Sequence, residues 1–257
     1  QNAIKGGSTT TAIDGTVAIG KNALSALTSG AENTAIGYNS GLIISTGGEN
    51  TLLGHSAGKG FDTNSGNTVM GASAMSGAGD SSYCVAIGMQ SLDASLTSGA
   101  NGAVAIGTSS LGALTSGASN TAIGYQSADN ITTGSRNTVL GYQSMYQAGG
   151  NANKAPSADD NIAIGYRSMG GQWNGGADAP DKNIAIGNYS LDAILNHALD
   201  NIAIGYNSLT ELTGGDNNLA VGNYSGDTLT TGDFCTIVGN TSDVSADAQN
   251  QTVIGYG

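Results

Sequence analysis

Read for chemistry first, the chain presents several arrangements of reactive residue types. Gly54-His55-Ser56-Ala57-Gly58 matches the G-x-S-x-G pattern of a serine nucleophile on a strained strand-to-helix turn, which needs an acid and a histidine later in the chain. Gly15 to Asn22, GTVAIGKN, nearly spells a phosphate-binding loop, but Asn22 stands where a Ser or Thr would ligate magnesium and no β-α-β pattern surrounds it. His55 and His197 are the only two histidines, and their positions in the pattern below do not bring them together for a metal site or a triad. Asp160, Lys182 and Asp200 share one position in three consecutive units, and their alternating sign reads as an ion ladder between strands. Asp159, Asp160, Asp178 and Asp181 have the residue type for calcium without a ligand pattern, and Asp62, Asp80, Asp129 and Asp227 stand in turns that Asp favours. The sequons at Asn130, Asn188, Asn223 and Asn240 fall out of the repeat itself. Residue types alone therefore predict no catalytic residue, no cofactor and no metal.

These residues must be positioned by something, and the sequence states what. An apolar run closed by glycine recurs as VAIG, TAIG, TLLG, TVMG and variants, with glycines at 20, 37, 54, 71, 88, 107, 124, 141, 165, 187, 205, 222, 239 and 255. Most spacings are 17 residues. Three residues after each glycine but the last stands Ser or Ala, as at Ser40 and Ser127, and four before it stands Asn in most units, as at Asn33 and Asn120. A weaker apolar position follows seven after the glycine, at Leu27, Ile44, Leu114 and Ile131, before a turn such as Thr-Ser-Gly. One unit reads as a short strand, a tight turn, a second short strand and a glycine turn. Such a unit is too small to bury its own apolar face, so neighbours must stack. The predicted fold is all-β: a parallel β-roll or β-solenoid of about fourteen 17-residue coils over 16–257, with 1–15 as a lead-in.

The repeat columns carry structural expectations. Gly37, Gly54, Gly124, Gly141, Gly165 and Gly205 should permit a backbone conformation or approach that a side chain would block. A β-branched residue at Gly124 should therefore destabilise far more than one at Gly99, in a turn with room to relax. The Asn and Ser columns should form hydrogen-bonded ladders between coils. Thr34 and Ile36 point one way while Ala35 and Gly37 point the other, and neither side is polar enough to prefer water. A strand apolar on both faces calls for cover on both, one by the solenoid interior and the other by a second copy of the chain. A monomeric flattened solenoid with one exposed apolar stripe is the alternative. Cys84 and Cys235 occupy the Asn column eight coils apart, beyond disulfide reach, and read as buried reduced thiols.

The segments NTAIGYNS, NTAIGYQS, NIAIGYRS and NIAIGYNS resemble the head repeat of trimeric autotransporter adhesins of the YadA type, and that of many phage tail and neck fibres. The resemblance runs from about Thr16 to Gly255. It implies a homotrimer of left-handed parallel β-rolls displayed outside a cell or on a virion. The 17-residue period, the frequent Tyr after the glycine and the missing stalk and anchor depart from the adhesin pattern. The ending QTVIGYG looks more like fibres that continue into a C-terminal self-cleaving chaperone domain, and Gln1 without an initiator Met reads as a processed or trimmed piece.

Function follows from what remains. A net charge of −12 with only seven bases excludes a nucleic-acid ligand, and no apolar stretch is long enough to insert into a membrane. The expected role is a structural and adhesive fibre segment, extracellular on a virion or bacterial surface, without catalysis. Its partners would be itself and a host-surface glycan or protein receptor. The alternative is a glycan-degrading tailspike, for which paired carboxylates on neighbouring coils beside an aromatic groove are lacking in the pattern. An ice-binding array is disfavoured because the column of Thr34, Thr51 and Thr68 turns to Val85, Val104 and Ile162. The period breaks twice, with spacings of 24 and 22, so insertions at 146–160 and 170–182 are expected as loops on one side of the stack. They hold the single Trp, Trp173, and with Tyr146, Gln172, Lys154 and Asp178 form the candidate binding site, Trp173 acting either as an exposed platform or as a lid over a local apolar patch.

Overall fold

A computed structural model describes residues 14–77, 79–146, 157–171, 179–193, 195 and 197–256. The chain forms two compact units, 1–125 and 126–257. Each contributes seven three-residue strands. In the first they are β1 (Val17–Ile19), β2 (Thr34–Ile36), β3 (Thr51–Leu53), β4 (Thr68–Met70), β5 (Val85–Ile87), β6 (Val104–Ile106) and β7 (Thr121–Ile123). In the second they are β8 (Thr138–Leu140), β9 (Ile162–Ile164), β10 (Ile184–Ile186), β11 (Ile202–Ile204), β12 (Leu219–Val221), β13 (Thr236–Val238) and β14 (Thr252–Ile254). Within each unit consecutive strands pair in parallel with the repeat in register, as in Thr34↔Thr51 and Ile184↔Ile202. This is the predicted β-solenoid, one strand per coil. The second strand expected in each coil is not formed among the described residues. Its segment runs as turns that touch the next coil through single bonds, such as Thr28 N–H to Ser45 O at 2.8 Å and Ser45 N–H to Asp62 O at 2.9 Å.

Positions are numbered below from the repeat glycine as 0. The strand occupies −3 to −1 and buries its middle residue, with the two flanking side chains outward, as the alternation of a strand requires. Glycine 0 bends the chain. At Gly37 φ is +142°, and a Cβ there would lie 2.2 Å from the Gly54 carbonyl oxygen of the next coil. Both the conformation and the contact exclude any other residue. The same contact is 2.3 Å at Gly141 and 2.2 Å at Gly205. The turn glycines at +10 are as crowded: a Cβ on Gly47 would stand 2.1 Å from Asn64 O.

Two more positions carry positive φ in ordinary residues. Asn39 and Gln126 at +2 and Leu24, Met75, Leu111 and Met169 at +4 are all left-handed, with φ between 48° and 56°. The alternation winds the chain tightly enough to drop the +4 side chain into the interior, where Leu24, Met75, Leu111 and Met169 are buried. They join the +7 residues Leu27, Ile44, Phe61 and Leu114 in the core. Volume is exchanged between columns: where +4 is Gly41 or Gly58, a Cβ would meet the Leu52 side chain at 2.9 Å, because Leu52 is larger than the usual Ala at −2.

Polar columns close the interior. The Asn50 side-chain oxygen accepts from the Asn67 N–H at 3.0 Å and Asn67 Nδ2 at 3.1 Å, while Asn50 Nδ2 donates to Asn33 Oδ1 and, across the coil, to Asn64 O at 2.8 Å. The second unit repeats this through Asn137, Asn161, Asn183, Asn201 and Asn218. Asn33 and Asn120 at the same position are buried. Ser hydroxyls at +3 donate to the strand-centre carbonyl of the next coil, Ser40 to Leu52 O at 3.3 Å and Ser127 to Val139 O at 3.4 Å. Cys84 and Cys235 are buried free thiols that end a run of Asn rungs, their N–H groups donating to Asn67 and Asn218. Burial pushes the Cys84 thiol up.

Candidate functional site

Of the predicted binding residues, Trp173, Gln172, Lys154 and Asp178 lie outside the described residues. Tyr146 is half-buried, and its N–H donates to Gln143 O at 3.3 Å. The insertions rejoin the wall at Ala158 and Pro180, both buried, whose carbonyls accept from Asn137 and Asn161.

The extended feature of both units is the outward face of the strands. The −3 and −1 side chains are half-buried or exposed in all fourteen strands, although nearly all are apolar or Thr. Leu53, Met70 and Leu140 are 41%, 38% and 45% exposed. One such residue needs no account, but within each unit the two rows recur at every coil and form an extended, largely apolar outer surface.

Beside this face in the second unit runs a row of aromatic rings. Tyr142, Tyr166, Tyr189, Tyr206 and Tyr224 come from the coils of β8 to β12, with successive centroids 5.6, 5.1, 6.1 and 5.3 Å apart. The rings stand at +1 in three coils and at +2 for Tyr189 and Tyr224, where +1 is Asn188 or Asn223. Those asparagines accept from the preceding coil, Asn188 Oδ1 from Tyr166 N–H at 2.9 Å and Asn223 Oδ1 from Tyr206 N–H at 3.1 Å. The Tyr189 phenol is pushed above its ordinary range, first by hydrogen bonding to Tyr166. Frequent Tyr after the glycine is the signal visible in the sequence. The continuity of the row is hidden there because it switches columns. In the first unit a shorter stack joins Tyr38 and His55 at 5.3 Å.

The groups singled out for chemistry occupy repeat positions. Ser56 is buried at +2 with φ +57°, His55 stacks on Tyr38, and GTVAIGKN contains β1. Among the described residues no three His, Cys, Asp or Glu side chains converge as metal ligands. The expected ion ladder is not formed: among the described residues no ion pair joins Asp160, Lys182 and Asp200, Lys182 acting on Asp160 only as a more distant charge, while one coil earlier Arg136 and Asp160 form a bidentate pair at 2.6 and 2.8 Å. Arg136 holds the Asp160 carboxyl below the usual range, but the pair is exposed and adds little stability. Asp227 and Asp243 are carboxylates from successive coils, an arrangement the sequence pattern does not show. Burial and then the charge of Asp243 raise the Asp227 carboxyl.

Asp192 is the most perturbed acid. Its Oδ2 is 3.9 Å from Arg167 Nε, too long for a hydrogen bond, and Asp192 Oδ1 and Arg167 Nε are buried without a partner. Burial raises its carboxyl from 3.8 to about 6, against the opposing pull of Arg167. A folded-state value above the unfolded one adds stability that is full below pH 3.8 and is lost as pH rises through about 6. Asp192→Asn should therefore raise the melting temperature at pH 8 by about 2–4 °C and flatten its rise between pH 7 and 5. A calorimetric scan in which the variant keeps the wild-type pH slope would contradict this origin.

No protein family, curated protein or solved structure matches the chain. No helix among the described residues is long and apolar enough to cross a membrane.

Proposed function

We propose that the chain is a structural and adhesive fibre segment: a rigid, left-handed, homotrimeric rod outside a cell or on a virion, presenting receptor-binding loops and doing no catalysis. The observation that carries this reading is the outward double row of side chains, apolar at −1 and apolar or Thr at −3. Burying it offers about 25 cal/mol for each Å² removed from water, repeated at every coil. A copy of the same chain matches that repeat coil for coil. Closed three-fold association would cover the row without leaving an open filament end, and three copies are also what the YadA-type resemblance implies. Within each unit the hydrogen-bonded ladders between coils favour the stiffness a spacer needs.

Light scattering on the purified chain should give three times the 25.3 kDa chain mass, and a monomer at micromolar concentration overturns the assembly. Trp173→Ala and, separately, removal of 172–178 should each leave that mass and the melting temperature nearly unchanged while weakening attachment to the target surface. Undiminished attachment places the binding site elsewhere.

A further inference from the structure

We propose that the tyrosine row of the second unit is a binding platform for an extended, uncharged polysaccharide that lies along the stacking direction with about one hexose ring per coil. This rests on the adhesive reading above and names the class of surface molecule bound. A pyranose has an apolar C–H face and a rim of hydroxyls, so its receptor must offer aromatic faces and hydrogen-bonding groups together. The row does both. Tyr142, Tyr166, Tyr206 and Tyr224 are 37–48% exposed, each carrying a phenol, and Gln143, Arg167 and Asn207 stand at +2 beside the rings at +1.

Spacing selects an extended polymer. One ring per coil recurs at centroid spacings of 5.1 to 6.1 Å, a little more than the strand separation of about 4.8 Å and close to the advance per residue of a chain of equatorially linked pyranoses. The rings are not all parallel: Tyr142 and Tyr166 lie within 26° of one another, while Tyr189 is turned by 82° from Tyr166 and by 88° from Tyr206, so ring edges as well as faces line the row. The choice of an uncharged ligand follows from the net charge of −12 and from Asp227, whose charge acts on Tyr224. The phenols and amides also separate this row from the apolar strand face, which suits a second protein copy better.

The test is calorimetric titration of the full chain with cellohexaose and chitohexaose, with curved maltohexaose and anionic polygalacturonate as controls. The two extended hexasaccharides should bind and their trisaccharides should bind more weakly. Tyr166→Ala and Tyr206→Ala should each weaken binding about tenfold, while Tyr38→Ala in the first unit leaves it unchanged. Three results overturn the proposal: neither hexasaccharide binds, binding ignores Tyr166 and Tyr206, or the two variants lose their oligomeric state and so reveal the row as a seam between copies. A wild-type trimer that ignores both sugars defeats this inference alone. A wild-type monomer defeats the fibre reading and leaves the titration to decide this one.

Discussion

Gly54→Val should lower the melting temperature by roughly 10 °C or more, or prevent folding, whereas Gly99→Val should shift it by only a few degrees. At Gly54 φ is +140°, and a Cβ would stand 2.5 Å from the Gly71 carbonyl oxygen. The backbone cannot retreat, because Gly54 N–H is bonded to Ile36 O at 2.9 Å and the strand beside it is paired on both edges. Gly99 lacks a left-handed φ, and its nearest neighbours to a Cβ are Ser116 Cβ at 3.3 Å and Thr97 Oγ1 at 3.4 Å. Gly124 has φ +140° in the same column as Gly54 and should behave like it. Equal losses at Gly54 and Gly99 would show that coil spacing is soft and that the column is not held by this contact.

The second large effect is expected at the asparagine ladder. Asn50→Ala removes the acceptor of the Asn67 N–H and Nδ2 and the donor to Asn64 O, leaving groups inside the coil that water does not reach. At about 1–3 kcal/mol for each buried group left unpaired, the loss should be about 3 kcal/mol or more. Cys84→Ala, in the same column, gives up only sulfur contacts of 3.5 Å to Ser82 O and Ala100 O and should cost about 1 kcal/mol. Urea denaturation of the two variants provides the comparison. Similar midpoints would mean that the Asn side chains fill space and that their hydrogen bonds contribute nothing net.

The contrast between these positions separates what is legible in the residues alone from what is not. Glycine at a fixed period announces itself because no other residue type serves there, and Asn33, Asn50 and Asn67 are conspicuous as amides at one position of an apolar repeat. The core at +4 is harder to recognise. Leu24, Leu111 and Met169 adopt a left-handed conformation that branched or long side chains rarely take, so their spacing matches neither a strand nor a helix. The tyrosine row depends on two columns exchanging roles between coils, and only the folded chain shows that Tyr189 and Tyr206 are neighbours. The outward apolar face is legible as a strand with no polar side. The proposed cover, a second copy of the chain, is not written in that strand pattern.

Equal spacing also poses a problem of phase. A segment displaced by 17 residues would still set glycine against glycine and Asn against Asn over much of the regular stretch, so the chain resembles a ruler whose divisions carry few numerals. Because each coil bonds only to those on either side, such an error would cost little until it met an irregular unit. Cys84, Ala103 and Cys235 in place of Asn, and the intervals of 19, 24, 22, 18 and 16 residues, are among the irregular units. Shifted pairing would there leave an amide without its rung or force an insertion into the wall. On this view the breaks in periodicity serve folding as reference marks, and a fully regularised version of the sequence would pair quickly but settle into several offset arrangements.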